Sequence, residues 1–270
     1  MLENMRAPAN IEAKCGVVRA APHLRDNTER EMAQYDTLHR TQAGTRSAMI
    51  DEGLRAHMNK VYGLMSVGML ITGAVAYAVG TNEQLLMAIF GSGLKWVVMF
   101  APLAVVFAFG AMLHKMSTNT ARAVFLGYSA LMGLSISFIF AAYTGISIAQ
   151  TFLVTAIAFA GLSLYGYTTK RNLSAMGSFL MMGLIGLIVA SIVNIFLASS
   201  AMAFAISVIG VLIFAGLTAY DTQNIKNTYL QLAQTDQEFL GKAAILGALQ
   251  LYLDFLNMFM FLLQFLGNRE

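Results

Sequence analysis

From residue 84 to residue 220 the chain carries no Asp or Glu. A water-facing surface over that length would need charge of both signs, because a soluble domain is roughly 25% charged. Here only 11% of the residues are charged and 57% are hydrophobic. The solvent around most of this chain is therefore lipid. The charge it does have is concentrated at the front: residues 1–60 hold 17 of the 31 charged side chains. A polar head thus precedes an apolar body, and the head, residues 1–50, is expected to be poorly ordered and cytoplasmic.

Crossing a hydrocarbon core of about 30 Å takes about 20 mostly apolar residues. Seven stretches meet that length: Val61–Val79, Trp96–Leu113, Ala123–Ala142, Ile146–Gly166, Ser178–Leu197, Met202–Tyr220 and Ala244–Leu266. Backbone amides in lipid must be bonded within their own segment, so each is a helix, and a barrel would show shorter alternating strands. The fold class that follows is an all-α polytopic membrane protein with residues 51–270 as a seven-helix transmembrane domain. The second span is the least defined at its start, since Leu85–Phe90 is also apolar before Lys95 intervenes.

Basic residues set the expected orientation, because cytoplasmic loops keep an excess of Lys and Arg. The head has nine; the connections then carry Lys95, Lys115 with Arg122, none, Lys170 with Arg171, none, and Lys226 with Lys242 before the terminal Arg269. That alternation predicts a cytoplasmic N-terminus. The lone Cys15 excludes disulfide frameworks and cysteine-based metal sites. With no basic stripe among aromatics, no nucleic-acid partner is expected. No cleavable secretory signal is expected in the first 30 residues. The 18 Met and 18 Phe are spread over every span and read as packing. Gly186, Ala190 and Asn194, spaced by four, predict a close helix contact in the fifth span. His57 reads as part of the head's edge, with no ligand spacing.

An ionisable residue inside a bilayer is expensive and is a functional candidate for that reason. Asp221 ends the sixth span and Asp254 lies inside the seventh, whereas Asp236 and Glu238 fall in the polar connection. At 100° per residue, Gln250, Asp254, Asn257 and Gln264 share a sector of about 80°. Ser207, Gly210, Thr218 and Asp221 share a similar sector on the sixth helix, and the two stripes are expected to face each other. Buried carboxylates cost several kcal/mol unless paired or protonated. If these two meet, they cannot both ionise easily and act as a proton-sensitive latch, into which a hard divalent cation such as Ca²⁺ could enter once both ionise. Carboxyls within about 3 Å would share a proton. The drawn spans leave a tension, because Asp221 sits at a helix end while Asp254 lies roughly 14 Å into its own.

Three long motifs around these residues carry a resemblance: GLTAYDTQNIK (216–226), ILGALQLYLDFLNMFMFLLQFLGNR (245–269) and YGYTTKRNLSAMGSFLMMGLIGLIVASIVNIFL (165–197). Together with DEGLRAHMNKVYGLM (51–65), they resemble the Bax inhibitor-1 family, the transmembrane Bax-inhibitor-motif proteins, in its bacterial branch. The resemblance runs from about Asp51 to the C-terminus. It implies six helices wrapped around the C-terminal seventh. It implies a pH-sensitive calcium leak channel of the bacterial inner membrane, with Asp221 and Asp254 as the sensor pair and candidate Ca²⁺ ligands; the two polar stripes add Gln250, Asn257, Thr218 and Ser207 as supporting polar groups. Some members carry a further carboxylate in the second span, which this chain lacks. Basic partners for Asp221 would come from His114, Lys115, Arg122, Lys170 or Arg171, whose ordinary reading is anchoring at the membrane face. Tyr220-Asp221 also resembles half of an intramembrane aspartyl protease pattern, but no Gly-x-Gly-Asp surrounds Asp254, so no enzyme and no cofactor are expected. A second function class remains: a non-transporting regulator whose head binds a membrane partner such as a membrane-bound AAA protease.

Overall fold

The computed structural model describes the backbone of residues 22–233 and 237–268, with side chains over 49–233 and 239–268. The chain divides into two units, Met1–Met49 and Ile50–Glu270. Of the first unit, the backbone from Pro22 is helical, while residues 1–21 of the head expected to be poorly ordered lie outside the described residues. Asp236, Arg269 and the side chain of Glu238 also lie outside them. The order of helices is α1 (Pro22–Gly80), α2 (Glu83–Phe90), α3 (Leu94–Met112), α4 (Thr118–Ile136), α5 (Ile139–Ala142), α6 (Gly145–Thr168), α7 (Ser174–Leu197), α8 (Ser200–Leu232) and α9 (Gln237–Leu266). No strand occurs among the described residues.

Among the described residues seven helical segments are long and apolar enough to cross a membrane, and the protein is an all-α polytopic membrane protein. The apolar run Leu85–Phe90 is a separate short helix, α2, rather than the start of the second span. Its first turn is fixed by Asn82, whose Oδ1 accepts from the Leu85 amide at 3.1 Å, satisfying a donor the helix itself cannot. Ser117, Thr144 and Ser199 do the same for α4, α6 and α8, at 3.2, 3.3 and 3.3 Å. Between α7 and α8 the chain reverses through Ala198, at φ 48°, and Asn194 Oδ1 accepts the Ser199 amide at 3.1 Å. Asn194 is therefore a turn residue.

The sixth span is longer than the sequence suggests. It covers Ser200–Leu232 instead of stopping at Tyr220. Hydropathy falls at Asp221, Thr222, Gln223 and Asn224, but the helix continues because Thr222, Gln223, Ile225 and Tyr229 are buried against neighbouring helices. That narrows the tension over depth from about 14 Å to about 9 Å. By helix rise Asp221 lies about 16 Å before the end of α8, and Asp254 about 25 Å after the start of α9.

The seventh span is the centre of the bundle. Its most apolar window is 67% buried, against 11% to 39% for the other six. Tyr252, Ile245, Leu251, Met258 and Leu263 are among the largest fully buried side chains in the protein. Helices α8, α6 and α4 pack on it. A helix this deeply packed can hold Gln250, Asp254 and Asn257 on one stripe with Asp254 buried and the other two half-buried. The stripe stops there, since Gln264 is exposed.

The predicted close contact at Gly186 is absent: a Cβ there would meet nothing within 4 Å. Tight approaches occur elsewhere. A Cβ on Gly133 of α4 would lie 2.5 Å from the Thr72 carbonyl oxygen of α1, and one on Gly166 of α6 would overlap the Ala219 carbonyl of α8. Small residues spaced by four are necessary for close packing in a membrane, but which helix arrives at them depends on the whole arrangement.

Candidate functional site

Helices α8 and α9 run antiparallel, joined through the short segment after Leu232. Two close approaches fix their register. Gly210 leaves room for the Phe261 ring, and Gly247 leaves room for the Ile225 side chain. Counting inward from those pairs leaves Asp221 and Asp254 three to four residues apart in height, about one turn. Their carboxyl groups are within hydrogen-bonding reach of each other. The predicted meeting of the two aspartates is therefore what the packing produces.

Asp254 is 4% exposed, and its Oδ2 has no hydrogen-bond donor. Asp221 is half-buried. Both line a cavity of ≈ 530 Å³ whose other walls are Leu103 of α3, Leu187 and Ser191 of α7, Leu217 of α8 and Asn257 of α9. No Lys, Arg or His is among the lining residues. Two unit charges about 4 Å apart repel by about 4 kcal/mol at an effective dielectric of about 20. With no cation on the walls, two species can relieve that repulsion: a proton donated from one carboxyl to the other, or a bound cation.

The supporting groups divide into two sets. Gln250 and Asn257 line the cavity with the aspartates. Asn257 Nδ2 donates to the Leu253 carbonyl of its own helix at 2.9 Å, which turns its Oδ1 away from that bond. Thr218 and Ser207 do not line it; their hydroxyls donate to Phe214 O and Ala203 O of their own helix, both at 2.8 Å. Both are buried, so they spend their polarity on backbone instead of on the site. His114, Lys115, Arg122, Lys170 and Arg171 are all exposed, and none lines the cavity. His114 stacks on Phe239 with ring centroids 5.5 Å apart.

A metal ion would find few ligands here. Among the described residues no group of three or more His, Cys, Asp and Glu converges. Ca²⁺ takes six to eight oxygens, and the cavity walls carry two carboxylates, two side-chain amides and the Ser191 hydroxyl, the rest falling to water.

Sequence reasoning missed three polar arrangements near the pair. Gln223 Oε1 accepts from the Leu173 amide and its Nε2 donates to the Arg171 carbonyl, both at 2.8 Å, so one side chain ties the α6–α7 turn to α8. Lys226 Nζ donates to the Tyr167 carbonyl at 2.8 Å and lies 5.4 Å from the centre of that ring. A hydroxyl chain runs from Tyr62 to Ser163 at 2.5 Å and on to Thr222 at 2.9 Å, linking α1, α6 and α8. His57, assigned to the head's edge, is instead buried at 8% exposure, its ring 5.0 Å from that of Tyr229 and its Nε2 without a partner. The signal available for the first two was the QNIK of the 216–226 motif.

The family model described as "Inhibitor of apoptosis-promoting Bax1" matches residues 54–270. The chain belongs to this family. Among its relatives is the inner membrane protein YbhL of Escherichia coli K12, 47% identical over 219 residues, which cover 81% of this chain and 94% of YbhL. A protein of Rickettsia prowazekii is 45% identical over 226 residues, 84% of this chain and 95% of its own length. One from Caulobacter vibrioides is 48% identical over 231 residues, with 82% and 92% covered. With the seven apolar helices, these relatives identify an integral inner-membrane protein of the Bax inhibitor family.

Proposed function

We propose that this protein is a pH-sensitive leak channel for cations, Ca²⁺ among them, gated by Asp221 and Asp254. The supporting observation is that two intramembrane carboxyls lie within hydrogen-bonding reach on the central helix pair, in a cavity whose walls hold no basic side chain. With one proton between them, a carboxyl of one residue donates to the other and holds α8 against α9. With both ionised, repulsion pushes the two helices apart and leaves four carboxylate oxygens facing a space that a cation can enter. The open state is thus the state that attracts the ion. Gln250 and Asn257 add amide oxygens beside that path. Because no third carboxylate converges among the described residues, selectivity for Ca²⁺ over other cations is expected to be low. The protein has no enzymatic role in this reading, and its N-terminus is cytoplasmic, on the side of the basic connections.

The test is cation flux through the purified protein in liposomes between pH 6 and 8. Flux that rises with pH, and that responds to Asp221→Asn and Asp254→Asn, supports the reading. No flux, or flux indifferent to both substitutions, overturns it.

One observation favours a second role for the head. The family match begins at residue 54 and leaves the head outside it, while 81–84% of this chain covers 92–95% of the length of these relatives. An added segment outside the conducting body suits an arm that docks a membrane partner, a membrane-bound AAA protease being the candidate. Loss of partner capture on deleting residues 1–49, with flux unchanged, would assign it that role.

A further inference from the structure

Three cavities lie end to end along one side of the bundle. The first, ≈ 490 Å³, is walled by α1 and α6, and shares Tyr62 and Phe159 with the second, ≈ 730 Å³. The second shares Met69, Gly73, Tyr77 and Phe152 with the third, ≈ 460 Å³. They form one groove between antiparallel helices, running from Arg55 to Tyr77 on α1 and from Tyr167 to Gly145 on α6. Twenty-two residues of helix rise make it about 33 Å long, close to the thickness of a hydrocarbon core. Its walls are kept apart by small residues that touch nothing. A Cβ added at Gly73 or at Gly145 would meet no atom within 4 Å.

The groove is polar at one end. Arg55 and Asn59 stand on the α1 wall, and Tyr167 on the α6 wall, with Lys226 bonded to its carbonyl and lying over its ring. Lys170 and Arg171 follow within four residues of Tyr167. The acidic pair Asp51 and Glu52 lies a turn away on α1, outside the cavity wall. Below this end the lining is aliphatic and aromatic, broken by Ser66, Thr72 and the Tyr62–Ser163 hydroxyl pair. A long apolar slot with cations and amide donors at its mouth has the chemistry of an amphiphile with a negative head.

We propose that this groove binds one anionic phospholipid, its phosphate held at Arg55 and its acyl chains laid between α1 and α6. The charge at the mouth favours a lipid over a neighbouring apolar helix, which would bury Arg55 against hydrocarbon at a cost. The unfilled space beside Gly73 and Gly145 suits flexible chains, which conform to an uneven slot where a rigid helix would leave voids. The site is independent of the aspartate pair and stands or falls separately from it.

The experiment titrates the full-length protein in detergent with phosphatidylglycerol and with phosphatidylcholine of the same chains, reading bound lipid by native mass spectrometry. The wild type is expected to prefer the anionic lipid. Arg55→Gln, an exposed change, should weaken phosphatidylglycerol binding about fivefold and leave phosphatidylcholine unchanged, the factor one basic residue contributes near an anionic head. Ala160→Trp on the wall should lower binding of both, and Gly73→Leu, placed where nothing touches, repeats that test should the tryptophan disturb folding. Equal binding of the two lipids by the wild type, or binding indifferent to Arg55→Gln and to the groove-filling variant that folds, overturns the proposal. So does a disulfide-linked dimer of Gly73→Cys in membranes in a Cys15→Ser background, which would put a second copy in the groove.

Discussion

Asp254→Asn is the substitution that separates a gate from a packing residue. Asn has the shape of Asp, and position 254 is buried and 4% exposed, so no cavity is created. What changes is the charge and the number of donors. In the wild type, removal of the last proton from the pair introduces a repulsion of about 4 kcal/mol at an effective dielectric of about 20. At 1.4 kcal/mol per tenfold, that shifts the balance between joined and separated helices by at most about a thousandfold. The sign follows directly: the ionised pair costs more in the joined arrangement than in the separated one, so raising pH opens and lowering pH closes. In the variant the amide donates to the Asp221 carboxylate whether or not protons are available, a charge-assisted bond of about 1.5–3 kcal/mol. The latch is then closed at every pH. Liposome flux measured from pH 6 to 8 should therefore rise in the wild type and stay low and flat in Asp254→Asn. Thermal unfolding at the two extremes should differ in the wild type and coincide in the variant. An Asn variant with the wild-type pH profile, or a wild type whose flux ignores pH, refutes the reasoning.

Other substitutions probe the frame around the pair. Gly166→Val forces a side chain into the Ala219 carbonyl of α8, and should lower stability by about 1–3 kcal/mol as overpacking does, read as a fall in melting temperature in detergent. Gln223→Leu leaves the buried Leu173 amide without its 2.8 Å acceptor; a loss of about 1–3 kcal/mol is expected, again by thermal unfolding. Tyr252→Phe removes the 2.6 Å bond to Thr72 at the centre of the bundle but leaves Thr72 its carbonyl partners at Gly68 and Ser129. The expected cost is about 1 kcal/mol, with the pH profile of flux unchanged.

The spans and the aspartate pair were legible in the sequence for one reason: lipid penalises polar atoms so heavily that each exception stands out. Asp221 and Asp254 are exceptions by residue type alone, and helical periodicity then put Gln250 and Asn257 on the same side as Asp254. The same rule misplaced the end of the sixth span. A window that scores apolarity stops at Asp221, yet lipid is not what surrounds Thr222, Gln223 and Tyr229; protein is, and within protein a polar residue needs a partner rather than an exit.

Partner identity was the part that composition and periodicity could not give. Ser207 and Thr218 share a helical face with Asp221, yet their hydroxyls return to the carbonyls four residues back. Gln223, two positions from Asp221, reaches a turn fifty residues away in sequence. Gly186 had the spacing of a contact residue, but Gly133 and Gly166 are among the glycines that a neighbouring helix does meet. For Gln223 and the glycines, one helix supplies the group and another decides its use. The pair itself obeys the same logic, because what brings Asp221 to Asp254 is a register set by Gly210 against Phe261 and Gly247 against Ile225. Enlarging either glycine should therefore disturb the gate as surely as removing a carboxylate: Gly247→Val would push α9 off Ile225, part the two carboxyls and flatten the pH response of flux while both aspartates remain. A retained pH response in a folded Gly247→Val protein would show that the pair does not depend on this register.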